Sequence, residues 1–220
     1  MIDFNISRKN MILNQLKVNN ITEENILKAI ESIPREIFLP SHLKSRAYLD
    51  EDTEIFANRF LLEPKILGYI LKLSKIQITD VVLDLACSTG YTSAILSKLA
   101  KKVYGIDQNK SLLKKAFENT SSLKINNTSF IYSNPKNGLK TKNKFDSIFI
   151  FGGVEFISNK VLDLLKSDGG KLITVFYHSD MVGKIGIIKK IKGKLYKKYY
   201  YDSNTPILND FRKNRKEFIF

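Results

Sequence analysis

The chain holds one cysteine, Cys87, in 220 residues, which excludes an internal disulfide. Histidine is nearly as scarce: His42 and His178 are the only two, and with Cys87 they make no set at metal-ligand spacing, so no metal site is expected. No apolar run approaches the roughly 20 residues of a membrane span. The opening, MIDFNISRKN, lacks the apolar core of a secretory signal. From these absences we expect a cytoplasmic protein with no membrane partner, acting as a monomer. Acidic residues are also in deficit, 22 Asp and Glu against 36 Lys and Arg, for a net charge of +14.

What is present is ordinary for a folded protein, with 43% hydrophobic and 26% charged residues. The length suits one domain. Within it, ITDVVLDLACSTGYTSAILSKL followed by KKVYGID has the pattern of a β-turn-α-β unit that cradles a nucleotide. Val81, Val82, Leu83 and Leu85 form the apolar run of a buried parallel strand. The small residues Ala86, Cys87, Ser88, Thr89 and Gly90 then let the backbone turn sharply and approach a ligand. Helical spacing resumes at Tyr91, with Ile95, Leu96 and Leu99 on one face. A second strand over 103–106 delivers Asp107 roughly 20 residues past the turn, where an acid accepts hydrogen bonds from ribose hydroxyls. Cys87 fits this turn by its size.

Upstream, Met11, Ile12, Leu13 and Leu16 predict a short helix, and Ile26, Leu27, Ile30 and Ile33 a second one with Thr22 as its N-cap. Residues 34–60 show no sustained period and predict a long irregular arm. Pro64 opens a helix holding Ile66, Leu67, Ile70 and Leu71. Downstream, helical spacing at Leu112, Leu113, Ala116 and Phe117 precedes strands over 129–132, 145–151 and 171–176, with a helix over 161–165 between the last two. This alternation predicts an α/β fold with a doubly wound, mostly parallel, Rossmann-like sheet covered by helices on both faces. We divide the single domain into an N-terminal helical arm and loop (1–63), a cofactor-binding core (64–180) and a C-terminal β-hairpin and tail (181–220).

The densest basic stretch, KKIKGKLYKKYYYD from Lys189 through Lys198 to Asp202, admits two readings. Lysines interleaved with tyrosines can track phosphates and stack bases of a nucleic acid. Alternatively this is a β-hairpin turning near Gly193, with Ile188, Ile191, Leu195 and the tyrosines partly buried.

The segments IPREIFLP, AYLD, DLACSTGY, YGID, KFDSIFIFGG and LLKSDGGKLITVF, in this order, resemble the protein-L-isoaspartate O-methyltransferases. The resemblance covers most of the chain, and the PRE-x-F-x-P segment before AY-x-D is its specific part. It implies S-adenosyl-L-methionine as cofactor and an isoaspartyl peptide or protein as substrate, with the arm as a lid. Asp84 and the backbone of Ala86, Cys87, Ser88, Thr89 and Gly90 would hold the methionine part. Asp107 would take the ribose hydroxyls, Gln108 would flank the adenine, and Asn134 would meet the base where the family has an acid.

The chain departs from that family at the G-x-T-x-S substrate loop, whose hydroxyls orient the acceptor carboxylate. Phe60 stands at the threonine position and Leu62 at the serine, so no catalytic residue is assigned. Arg59, Lys65 and Tyr48 are candidate carboxylate holders. Methyl transfer to an ionised carboxylate needs no general base, and positioning is most of the work. Two alternatives accompany the enzyme reading: a catalytically impaired relative serving as a binding module, and a methyltransferase retargeted to RNA.

Overall fold

The computed structural model describes residues 2–178 and 182–213. Seven strands form the main sheet in the order β5-β4-β3-β6-β7-β8-β9, comprising β3 (Val81–Leu85), β4 (Lys102–Asp107), β5 (Thr128–Tyr132), β6 (Ser147–Val154), β7 (Lys171–Phe176), β8 (Gly183–Ile191) and β9 (Lys194–Ser203). The pairs from β5 through β7 are parallel, and β8 and β9 add antiparallel neighbours at one edge. The expected Rossmann-like sheet is therefore present, and the central strands read as apolar runs because both faces are covered.

Strand alternation sorts the core into two layers. Val82, Phe149, Ile173, Val175 and Ile185 face one side, in the same cluster as residues of α2 (Glu24–Ser32), α3 (Pro64–Ser74) and α4 (Tyr91–Ser97). Leu83, Leu85, Ile148, Ile150 and Leu172 face the other, with Val161 of α6 (Asn159–Leu162) and with Leu208 and Phe211 of the C-terminal segment. Between them in sequence, α5 (Lys110–Ser122) packs along β4 and β5. Among the described residues no helix is long and apolar enough to cross a membrane.

The N-terminal region differs from expectation in detail. The first helix, α1 (Phe4–Met11), starts earlier than its apolar run because Asp3 caps it, accepting from the amides of Asn5 and Ile6, and it continues as a π-turn through Leu16. Thr22 is not the cap of α2. That helix starts at Glu24 after Glu23, with no side-chain cap. The arm over 34–60 is also less irregular than its sequence: 3₁₀ turns at Arg35–Phe38 and Ser41–Arg46 lead into a hairpin of β1 (Thr53–Phe56) and β2 (Arg59–Leu61). Its two-residue turn, Ala57-Asn58, lies in the left-handed region, with φ of 37° and 61°.

The basic stretch forms the hairpin β8–β9, turning at Lys192-Gly193. Leu195 at 46% and Tyr196 at 54% exposure are less covered than expected, because β9 is the sheet edge. The last part of the predicted tail, 214–220, and residues 179–181 lie outside the described residues.

Candidate functional site

The site lies at the carboxyl ends of β3 and β4. The period of two along β3 turns Asp84 toward α4, opposite to Leu83 and Leu85. Thr92 Oγ1 and Ser93 Oγ of that helix donate to Asp84 Oδ2 at 2.6 and 2.7 Å. Oδ1 is buried and has no partner among the described residues. Burial pushes the carboxyl up to about 7 against the pull of the Thr92 and Ser93 bonds, and the charge of Asp107 adds to the rise.

The turn after β3 keeps a glycine backbone without its glycines. Ala86 and Ser88 have φ of 61° and 53°, and Gly90 has 88°. For the first two, the left-handed region costs about 1–2 kcal/mol each, strain of the kind that concentrates at binding sites. Cys87 is buried, its amide donating to Ile106 O at 3.1 Å, and burial pushes its thiol well up, with Asp84 and Asp107 adding to the rise. It is an uncharged wall of the turn. Thr89 ties the turn to the arm, its hydroxyl donating to Phe38 O at 2.8 Å.

Beside the turn lies a cavity of about 20 Å³, walled by Arg35, Phe60, Leu62, the 86–89 backbone, Tyr91 and Thr92. Among the described residues, Arg35 Nη1, Ser88 Oγ and Tyr91 Oη on these walls are buried without a hydrogen-bond partner, as is Asp84 Oδ1 at the end of β3. Buried polar atoms normally have partners. Their concentration at one strand end makes this the candidate site for a polar ligand.

Asp107, at the end of β4, is fully buried and fully bonded. Oδ1 accepts from Asn109 N at 3.0 Å and Arg59 Nη2 at 3.3 Å, and Oδ2 accepts from Ser88 N at 3.1 Å and Arg59 Nε at 2.8 Å. A carboxylate offers about four acceptor positions, and all four are taken. Arg59 Nη1 also lies 2.8 Å from Asp210 Oδ2. Burial works against the guanidinium charge, but Asp107 and Asp210 outweigh it and raise the pKa. Gln108, expected beside an adenine, donates from Nε2 to Asp210 Oδ1 at 2.8 Å. These residues wall an open cleft of about 470 Å³ that also includes Phe56 and Tyr132. Asn134 stands outside that lining, its Oδ1 accepting from Lys136 N at 3.0 Å.

The C-terminal segment straps the β1–β2 hairpin over the site. Thr205 Oγ1 donates to Asp52 Oδ2 at 3.0 Å, Asn58 Nδ2 to Ile207 O at 3.3 Å, and Asn209 N to Asn58 Oδ1. Of the three carboxylate-holder candidates, Arg59 alone reaches the site. Lys65 pairs with Glu63 at 3.0 Å, and Tyr48 is held by Arg8 and Glu36. No group of three or more metal-ligating side chains occurs among the described residues. Sequence reasoning missed Arg35 and Asp210. The first sits inside the PRE-x-F-x-P segment, and the second has no local signal.

The profile of the family described as protein-L-isoaspartate(D-aspartate) O-methyltransferase matches residues 7–202. Among relatives, a protein-L-isoaspartate O-methyltransferase of Desulfotalea psychrophila is 31% identical over 79% of this chain and 81% of its own. One of Jannaschia sp. is 28% identical over 93% of this chain and 90% of its own. A solved protein-L-isoaspartate O-methyltransferase superposes with a TM-score of 0.80 at 22% identity, covering 92% of this chain and 66% of that one. A putative one from Plasmodium falciparum, in complex with S-adenosyl-L-homocysteine, gives 0.77 at 20% identity over 96% of this chain and all of the other. With the profile spanning most of the chain and the sheet order that of a Rossmann-like methyltransferase, this chain belongs to the protein-L-isoaspartate(D-aspartate) O-methyltransferase family.

Proposed function

We propose that the protein is an S-adenosyl-L-methionine-dependent O-methyltransferase of isoaspartyl carboxylates in proteins or peptides, working in the cytoplasm as a monomer. The observation that carries this reading is the group of buried atoms around the β3 turn that find no hydrogen-bond partner among the described residues, Arg35 Nη1, Asp84 Oδ1, Ser88 Oγ and Tyr91 Oη. A zwitterionic amino-acid group brings partners of both signs to such a set.

The residues fit the cofactor in kind. Asp84 Oδ1 would receive the ammonium, the left-handed turn from Ala86 through Gly90 would present its backbone, and Asp107 would take the ribose hydroxyls. Gln108 and Tyr132 would border the base, while Asn134 lies outside the cleft lining. A bound cofactor would supply an activated methyl group, its bond to the sulfonium sulfur breaking with the electron pair kept by sulfur as the acceptor carboxylate oxygen takes the methyl. Everything else is positioning by the chain. Arg59 must leave Asp107 before the ribose is accepted, since no acceptor position remains. The cavity beside the turn holds about one water, so the stretch from Phe60 to Leu62 shifts with Arg59. A groove of about 550 Å³ between the arm and α5, lined by Ile37, Phe38, Pro40, Phe56 and Leu112, accommodates the peptide.

The saturated Asp107 favours one second reading, a binding module that takes the peptide without turnover. Incubation with methyl-labelled cofactor and an isoaspartyl peptide separates the two. A base-labile methyl ester on the peptide is expected. Peptide binding without label supports the module, and absence of any adenosyl-ligand binding sinks the cofactor reading.

A further inference from the structure

Arg35 is 1% exposed and among the largest fully buried side chains. The 3₁₀ turn after Pro34 points it inward, where Nε donates to Ala47 O and Nη2 to Leu62 O, with the guanidinium 5.2 Å from the Tyr91 ring centroid. Its charge is thus met by carbonyl dipoles, by the ring and hydroxyl of Tyr91, and across a longer distance by the Asp52 carboxylate, which binds Glu63 N and Thr205 instead. Arg35 lines the cavity at the β3 turn, and neither its Nη1 nor the neighbouring Tyr91 Oη makes a hydrogen bond of normal geometry among the described residues. Burying a guanidinium with no carboxylate bonded to it is costly, and a donor left over adds to the cost. A carboxylate offsets both, in the planar geometry that Arg matches best.

Position matters as much as charge. The carbonyl held by Nη2 belongs to Leu62, where the resemblance places a hydroxyl that orients the acceptor. Arg35 therefore reaches from behind the loop to the place where that donor is missing. Building on the cofactor reading above, we propose that Arg35 is a carboxylate receptor of this site, donating from Nη1 to a carboxylate that enters as Phe60 and Leu62 move aside. Two carboxylates come near the turn, that of the cofactor's methionine part and that of the acceptor.

Titration calorimetry on the full chain distinguishes them. One pair of ligands is S-adenosylhomocysteine and its decarboxylated analogue. The other, measured with S-adenosylhomocysteine present, is an isoaspartyl peptide and the same peptide with that carboxylate as a carboxamide. One pair is expected to differ by roughly tenfold to a hundredfold in affinity, and Arg35→Gln to close that gap. The pair affected names the source. If Arg35→Gln does not fold, Arg35→Lys, which keeps the charge and loses the planar fork, is expected to narrow the gap. Equal affinities within both pairs for the unaltered protein overturn the assignment while leaving the cofactor reading standing. So does a gap that persists in a folded variant. If no adenosyl ligand binds, the cofactor reading falls and the Arg35 assignment falls with it.

Discussion

Arg59 on β2 and Asp107 at the end of β4 form a buried two-point ion pair, Nε–Oδ2 at 2.8 Å and Nη2–Oδ1 at 3.3 Å. The amides of Ser88 and Asn109 fill the remaining acceptor positions. The carboxylate proposed above to receive a ribose is thus satisfied by its own chain, through a hairpin that the C-terminal segment straps down.

Replacing Arg59 with Gln should therefore tighten S-adenosylhomocysteine binding while weakening the fold. Breaking a buried ion pair costs roughly 3–5 kcal/mol, here because Asp107 and Asp210 lose a shared cation. Urea unfolding reads the loss, and calorimetry should show at least about a tenfold gain in affinity, the equivalent of roughly 1.4 kcal/mol. Unchanged affinity in a folded variant means that guanidinium and ribose do not compete.

Asp84 sets a pH dependence. Its carboxyl in the fold is raised from 3.8 to about 7 by burial, so this contribution to stability is fully present below about pH 4 and is lost as pH rises through 7, roughly 4 kcal/mol in all. A cationic ligand group prefers the ionised form, so cofactor binding should strengthen over the same range, by up to about tenfold per pH unit. Asp84→Asn should raise the melting temperature at pH 8 and flatten the affinity profile. A profile that keeps its slope in this variant assigns the titration to another group.

Restoring the hydroxyls tests the substrate loop. Each well-placed donor is worth about a hundredfold in rate or more, so Phe60→Thr with Leu62→Ser should speed methylation of an isoaspartyl peptide. Leu62 is 4% exposed, and its truncation should cost about 2–4 kcal/mol of stability. Initial rates below the melting range decide the matter. No gain means that the acceptor is oriented by other groups.

Gly90 and Gly169 form a controlled comparison. Both have positive φ, 88° and 84°, but a Cβ at Gly90 meets Ala116 Cβ at 2.9 Å while one at Gly169 meets nothing within 4 Å among the described residues. Gly169→Ala should cost only backbone strain, about 1 kcal/mol. Gly90→Ala adds a clash against α5 and should cost roughly 2 kcal/mol or more. Equal losses in chemical denaturation imply that α5 yields without cost.

The sequence by itself determined the parallel core and the strand ends where the candidate site lies. Apolar runs ending in small residues mark strands covered on both faces, and an acid ends the next strand, so the positions of Asp84, the 86–90 turn and Asp107 at the sheet's carboxyl edge were all legible. These are local patterns of period and residue size. Tertiary structure decided the rest. Residues 53–61 carry no alternation strong enough to announce a hairpin, and their pairing is held by Asp52, Asn58 and Arg59 contacting a segment some 150 residues later. Whether Asp107 is open or filled, and whether Arg35 has a counter-charge, depends on which side chains the fold brings together across such separations. Burial then sets the energy of each charge, and no spacing along the chain encodes that.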